Sequence, residues 1–305
     1  MKPCSENQEW KTACFQLKRK ITSRLGQLTN SRRQISRLVK DLLDVFEKGK
    51  SIHEIVLTWL LNFFSKEVVV RTLQPNPTQP IPTPKNPFYI LIYVFVADVS
   101  GQKQAESEVI VQIPAAYPLA YVAIFLISKY PSLKPILVAR FAKNCPWIVP
   151  FYISPKTEDA MKKMGYKRTE DTKWEEQFRY IERQSGILAV YAAMTTHQLN
   201  PRAVAGMELT PYGLANAWRW AARCLNHVAS GEIEVAMMAT FLEVANQALL
   251  KVYGRQAVKL VTVALGEEWS RQVERGPATG RLEVMKDEFQ RTGRIGEEGF
   301  GGFVP

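Results

Sequence analysis

The 305-residue chain is poor in the groups that most enzyme chemistry needs. Only three histidines occur, His53, His197 and His227, none has a cysteine or carboxylate partner at metal-ligand spacing, and there is no HExxH. The four cysteines, Cys4, Cys14, Cys145 and Cys224, form no CxxC pair. Scattered in this way they read as reduced thiols of a nucleocytoplasmic protein, not as a zinc site or a disulfide framework. No GxSxG, P-loop or GxGxxG leads into a helix, which argues against the common hydrolase and nucleotide-binding plans. The acidic pairs Glu175-Glu176 and Glu267-Glu268 read as solvated helix termini, not as acid/base dyads. No RRM, KH or zinc-finger signature supports sequence-specific reading of nucleic acid. Membrane-like runs are missing too. The start is polar and charged, unlike a signal peptide. Of the longest uncharged stretches, 86–97 is too short to span a bilayer and 109–128 is broken by Gln112, Pro114 and Pro118. The chain is therefore expected to bind rather than catalyse, and not to insert into a membrane.

Negative charge is also in deficit. Asp plus Glu number 29 against 40 Lys plus Arg, a net charge of +11. That surplus fits an acidic partner, whether nucleic acid, anionic lipid, polyphosphate or acidic protein, without choosing among them. A hydrophobic content of 46% is that of a globular chain.

What is present is mostly helical periodicity. Trp10, Ala13, Cys14, Leu17 and Ile21 recur at helical spacing, with Lys11, Lys18, Arg19 and Lys20 on the polar side and Arg24 one turn past Lys20. After Asn30-Ser31, a good cap, Ile35, Leu38, Val39, Leu42, Leu43 and Phe46 form a second stripe that Gly49 is expected to end. His53 to Val70 forms a third helix, and Leu119 to Tyr130 is apolar nearly all round, as in a core helix. Further helices are predicted within Trp174 to His197, where Gly186 separates a polar half from an apolar one, and over Leu214–Asn226, Ile233–Tyr253, Arg255–Leu265 and Thr279–Phe289. Trp218 and Trp220 read as core packing rather than a stacking platform. Many helices of ordinary length with short loops fit stacked antiparallel pairs, as in a degenerate HEAT-type array.

The stretch Leu137–Arg168 concentrates cations. Pro135 suits a helix start, and Arg140, Lys143 and Asn144 follow at i, i+3, i+4 on one face before Pro146 stops the helix. A short helix from Ser154-Pro155 to Gly165 precedes Tyr166, Lys167 and Arg168. Two cationic helix ends aimed at one point suit a compact polyphosphate. Spacing alone favours the alternative, a solvated basic face.

Several segments, in chain order, resemble one known family: Leu25–Ser31 (LGQLTNS), ARFAKNCPW, MGYKRTEDTKWEEQ, Arg183–Leu188 (RQSGIL), AWRWAARCLN and YGRQAVKLVTVALGEE. Together they extend over nearly the whole chain and are similar to the GLFG-lethal (Gle-one) mRNA export factor family of the nuclear pore. The resemblance implies an all-α, HEAT-like helical repeat domain like the middle domain of translation-initiation scaffold proteins. It implies residence at the cytoplasmic face of the nuclear pore and activation of a DEAD-box RNA helicase, which carries the ATP chemistry. Inositol hexakisphosphate is then the expected tether between the two proteins. An FG-type nucleoporin and translation initiation and termination factors are the other partners implied. Carried over position by position, the implied ligand residues are Lys18, Lys20, Arg24, Arg140, Lys143 and Lys167, with Arg19 a neighbour. Where fungal relatives carry a second adjacent lysine this chain has Asn144, so a weaker hold is expected unless Lys162, Lys163 or Arg168 supplies the charge. The family's long coiled-coil half is missing, so the sequence is expected to be part of a longer protein. The alternative is a helical-repeat RNA- or membrane-binding scaffold that uses its charge non-specifically.

These readings divide the chain into one helical domain, 1–69 with 104–290, a foreign segment, 70–103, and a loose tail, 291–305. The segment is proline-rich and then apolar without pattern, and it matches nothing in the family. Its ends suit splice signals, so a retained intron is the expectation, with a tolerated surface loop as the alternative.

Overall fold

The computed structural model describes residues 7–28, 31–73, 113–150, 153, 157–168, 173–199, 208 and 210–296. Among the described residues the fold is all-helical, and the only extended pairing is an isolated bridge between Arg168 and Trp174. Helix α1 (Gln8–Gly26) starts where the Asn7 side chain accepts from the Glu9 and Trp10 amides, and it buries Cys14, Leu17, Ile21 and Leu25. Helix α2 (Arg32–Ile52) runs back beside it, burying Ile35, Leu38, Val39, Leu42, Val45 and Phe46.

Gly49 does not end α2 as its residue type predicts. It is buried in the last turn of the helix, which runs on to Ile52, and a Cβ there would lie 2.4 Å from Leu60 Cδ1 of the next helix, so the glycine serves close approach instead. The chain breaks at extended His53, whose Nδ1 accepts from the Ile55 amide at 3.1 Å and so starts α3 (Glu54–Leu73).

Helix α3 packs on α1, on α2 and on α5 (Leu133–Asn144), and it also meets α7 (Gln177–Thr196). It extends past the expected boundary at residue 69. Val70 to Leu73 continue the helix, and Arg71 Nη2 donates to the Thr22 carbonyl at 3.2 Å, tying its end to α1. Residues 74–112 of the predicted foreign segment and its flank lie outside the described residues.

Helix α4 (Ile113–Lys129) is apolar on every side and begins earlier than the Leu119 periodicity indicated, with Pro118 inside it. Proline there removes one backbone donor, and burial of Leu119 through Ile127 offsets the loss. Helix α7 runs unbroken through Gly186, because its second half is buried against α4 and against α9 (Glu232–Tyr253). By length and composition α9 is apolar enough to cross a membrane, but it lies mostly buried at the centre of the C-terminal half. Around it stand α8 (Ala215–Leu225), α10 (Arg255–Ala264), the single-turn α11 (Glu267–Ser270) and α12 (Pro277–Thr292). The remaining short helix, α6 (Glu158–Lys163), is capped by Thr157, three residues later than the predicted start. The result is an array of packed helix pairs of the HEAT-like kind.

The tail is tied down further than its composition predicts. Ile295 is buried, and the Asn246 side chain both donates to its carbonyl at 2.8 Å and accepts its amide at 3.2 Å. Residues 297–305 lie outside the described residues.

Candidate functional site

Helix α3 is the axis of the cationic region. Its residues turn about 100° per position, so Phe63 and Ser65 lie on opposite flanks. Between them runs a strip holding Thr58, Asn62 and Lys66, of which Thr58 and Lys66 are exposed. From α1, the Lys18 ammonium reaches over the Phe63 ring, 5.1 Å from its centroid. From α5, Arg140 Nε donates to the buried Ser65 hydroxyl at 2.8 Å. A hydrogen bond from a charged donor is worth about 1.5–3 kcal/mol, enough to fix the half-buried guanidinium on α3. Lys143, one turn along, is exposed beyond it. Lys18, Arg140 and Lys143 therefore border the strip that carries Lys66. Among the described residues none of these four is ion-paired with a carboxylate. Uncompensated cations from three helices form a donor set that fits a compact polyphosphate.

Lys167 reaches the same end of α5 by a different route. Gly165 adopts a left-handed φ of 75°, and a Cβ there would sit 3.5 Å from Pro146 Cδ and 3.9 Å from the Asn144 carbonyl. The turn before Lys167 thus leans on the C-terminus of the helix that carries Lys143. Below it, Tyr166 stacks on Tyr180 with centroids 3.8 Å apart. The buried Tyr180 hydroxyl donates to the Met164 carbonyl at 2.7 Å and accepts from Trp147 Nε1 at 3.1 Å. Trp147 belongs to the 3-10 turn directly after α5, and its carbonyl accepts from Trp220 Nε1 at 2.7 Å. A buried relay therefore joins the end of α5 to the turn that carries Lys167. The Lys167 ammonium, though exposed, loses its proton more readily than usual, first because the protein around it displaces part of its solvent and then because Arg183 is near, while Glu175 opposes the shift.

Lys20 and Arg24 are turned elsewhere. On α1 they occupy the flank of the buried stripe opposite Lys18, facing α2, and Arg24 Nε is paired with Asp41 at 3.0 Å. Asn144 does not share an open face with Arg140 as its spacing predicted. Its amide donates back to the Arg140 carbonyl at 2.8 Å, and its own carbonyl accepts from Gln184 Nε2 at 3.2 Å. Glu175, read as a solvated terminus, is nearly buried in an ion pair with Arg183, and Arg168 is engaged by Glu158 at 3.0 Å. Sequence reasoning overlooked Lys66. Its signal was present in Thr58, Asn62 and Lys66, a polar i, i+4 series on an otherwise apolar helix.

Comparisons with known proteins agree with this architecture. The profile of the family described as GLE1-like protein matches residues 1–75 and 70–265. The mRNA export factor gle1 of Schizosaccharomyces pombe is 34% identical over 299 residues, covering 95% of this chain and 53% of the relative. The mRNA export factor GLE1 of Saccharomyces cerevisiae is 28% identical over 277 residues, covering 90% of this chain and 45% of the relative. The chain thus spans about half the length of these relatives. A solved Saccharomyces cerevisiae complex, the C-terminal domain of a Dbp5 variant bound to Gle1 and IP6, contains a chain superposable with a TM-score of 0.75. That match is 24% identical and covers 96% of this chain and 89% of that one. A second complex, with a Gle1 variant, gives the same TM-score at 25% identity, covering 98% and 90%. With the family profile matched along most of its length, and an all-helical array to accommodate it, the chain belongs to the GLE1-like protein family.

Proposed function

We propose that this domain binds inositol hexakisphosphate on the face bordered by α1, α3 and α5 and, through it, docks on the C-terminal domain of a DEAD-box helicase of the Dbp5 kind. The carrying observation is the placement of Lys18 and Arg140 on the two flanks of one exposed strip of α3. The ligand bears phosphoryl groups around a compact ring, so no single helix face can neutralise it, and cations from several elements suit it. Lys66, Lys143 and Lys167 complete the face, and Lys20 and Arg24 contribute at longer range from the α2 side. A site of this kind stays open to water, because burying unpaired cations is costly. The uncovered phosphoryl groups are then available to basic groups of a second protein.

In this reading the domain is a regulator. ATP hydrolysis belongs to the helicase, whose cycle the docked domain stimulates as exported messenger ribonucleoproteins are remodelled at the cytoplasmic face of the nuclear pore. The family resemblance adds an FG-type nucleoporin and translation initiation and termination factors as partners, each testable by pull-down.

Titration calorimetry with inositol hexakisphosphate, followed by helicase ATPase assays with and without ligand, tests the proposal. The expected result is saturable binding that outlasts rising salt better than RNA binding does, with ligand-dependent ATPase stimulation. Binding to RNA or anionic vesicles alone, lost steeply with salt, would favour the non-specific scaffold.

A further inference from the structure

Beneath Lys167 lies an ion pair that the ligand face does not use. The side chains of Glu175 and Arg183 are only 9% and 11% exposed. The Glu175 carboxylate accepts the Lys167 amide at 2.7 Å, and it receives Arg183 through both Nε, at 3.2 Å, and Nη2. Arg183 Nη2 also donates to the Gly165 carbonyl at 2.8 Å. The Glu175 amide in turn donates to the Lys167 carbonyl at 2.9 Å. Both backbone groups of Lys167 are thus held by one residue, and the carbonyl two positions earlier by that residue's partner.

Two physical points make this pair more than packing. A buried ion pair is weak support for stability, since an apolar pair of like volume serves as well. A carboxylate beside a polyanion site also lowers the local positive potential, so by field alone it opposes the ligand. Its presence calls for a compensating task.

We propose that Glu175 and Arg183 are positioning residues for polyphosphate binding. They fix the Lys167 turn against the end of α5, so that its ammonium meets a phosphoryl group without the backbone having to order on binding. The same carboxylate opposes the tendency of Lys167 to lose its proton. The inference rests on the assignment of Lys167 as a ligand contact.

The test measures inositol hexakisphosphate affinity by calorimetry for the full chain, for Glu175→Gln, for Arg183→Lys, and for each combined with Lys167→Ala. Glu175→Gln removes a negative charge, so a pure field effect tightens binding, whereas loss of positioning weakens it. The expected result is about tenfold weaker binding for Glu175→Gln and for Arg183→Lys, which keeps its charge but loses the fork. In the Lys167→Ala background neither should weaken binding further, and Glu175→Gln should tighten it. Tighter binding by Glu175→Gln alone, or equal losses in both backgrounds, overturns the positioning role while leaving the site assignment standing. If Lys167→Ala binds as the parent does, or the parent does not bind, the site assignment falls and the inference with it. Melting temperatures taken alongside separate a folding defect, which weakens binding in both backgrounds.

Discussion

Tyr180→Phe removes one oxygen from the middle of the relay that joins α5 to the Lys167 turn. The ring is fully buried, and its stacking on Tyr166 survives the change. Two bonds are lost, the donation to the Met164 carbonyl and the acceptance from Trp147 Nε1. A buried carbonyl stripped of its donor forfeits about 1–3 kcal/mol, and an ordinary hydrogen bond contributes about 0.5–1.5 kcal/mol. The expected cost is therefore about 2–4 kcal/mol, or a melting temperature lower by roughly 5–10 °C. Burial pushes the phenol far above its usual ionisation range, so the hydroxyl stays a neutral donor in the folded chain. The cost should be constant below about pH 10 and shrink above it, where ionisation of the unfolded tyrosine destabilises the parent alone. Urea unfolding at unchanged slope measures the stability loss, and calorimetry with inositol hexakisphosphate measures the functional one. Affinity should fall because Lys143 and Lys167 are no longer held to one spacing. A cost under about 0.5 kcal/mol would show that the relay is not a structural link. A full stability cost at undiminished affinity would show that the two lysines do not act as a unit.

The remaining predictions concern the ligand face, the core, acid stability and the segment of foreign texture. Lys143→Glu with Lys167→Glu should abolish ligand-stimulated helicase ATPase with the melting temperature nearly unchanged or slightly raised, since Lys143 and Lys167 are both exposed; a normal ligand response sinks the site. Trp220→Ala should cost about 3–5 kcal/mol, because that indole is buried, stacked on Phe241 and bonded to Trp147. Trp218→Ala should cost clearly less, since Trp218 is only half-buried beside Tyr253, and equal losses in chemical denaturation contradict this ranking. His197 is held at a pKa of about 4 by burial, against a hydrogen bond to the Ala193 carbonyl that favours the proton. Its folded pKa is depressed, so its contribution is whole above about pH 6.5 and is lost as pH falls toward 4, about 3 kcal/mol in all. Stability measured against pH should lose that slope in His197→Leu, and an unaltered slope refutes the assignment. Deleting residues 74–102 should leave ligand binding intact and raise stability by about 1 kcal/mol through a shorter loop; collapse of the fold on deletion would mark the segment as integral. Sequencing of spliced transcripts tests whether it is a retained intron, and mature messages that keep it contradict that origin.

The helices were largely legible because each is a local statement. The stripe of Cys14, Leu17 and Ile21 and the stripe of Ile35, Leu38 and Leu42 each declare a buried face without reference to the rest of the chain. The misreadings fell where a residue answers to a distant partner. Gly49 looks like a helix end from its own conformational freedom, yet it is set by Leu60 of another helix. Gly186 looks like a break, yet contacts with α4 and α9 carry the helix through it. Glu175 looks like a solvated terminus, and the arginine that buries it lies eight residues on, within α7.

The candidate site shows the same division more sharply. Cations gather in three places along the sequence, and periodicity assigns each to a helix or a turn. Which of them face one another depends on how α1 and α5 seat on α3, and no local pattern encodes that. Lys18, Lys20 and Arg24 are alike in sequence, but a helix spreads them round its axis. Lys18 falls to the α3 side over Phe63, while Arg24 falls to the α2 side and is matched by Asp41. Lys66 had no basic neighbours to draw notice, and it gains significance only because Ser65 and Phe63 beside it anchor Arg140 and Lys18. A polyanion face assembled from helix flanks is therefore a property of packing. Charge-conserving changes that shift α1 or α5 on α3 should weaken such a face as surely as the loss of a lysine.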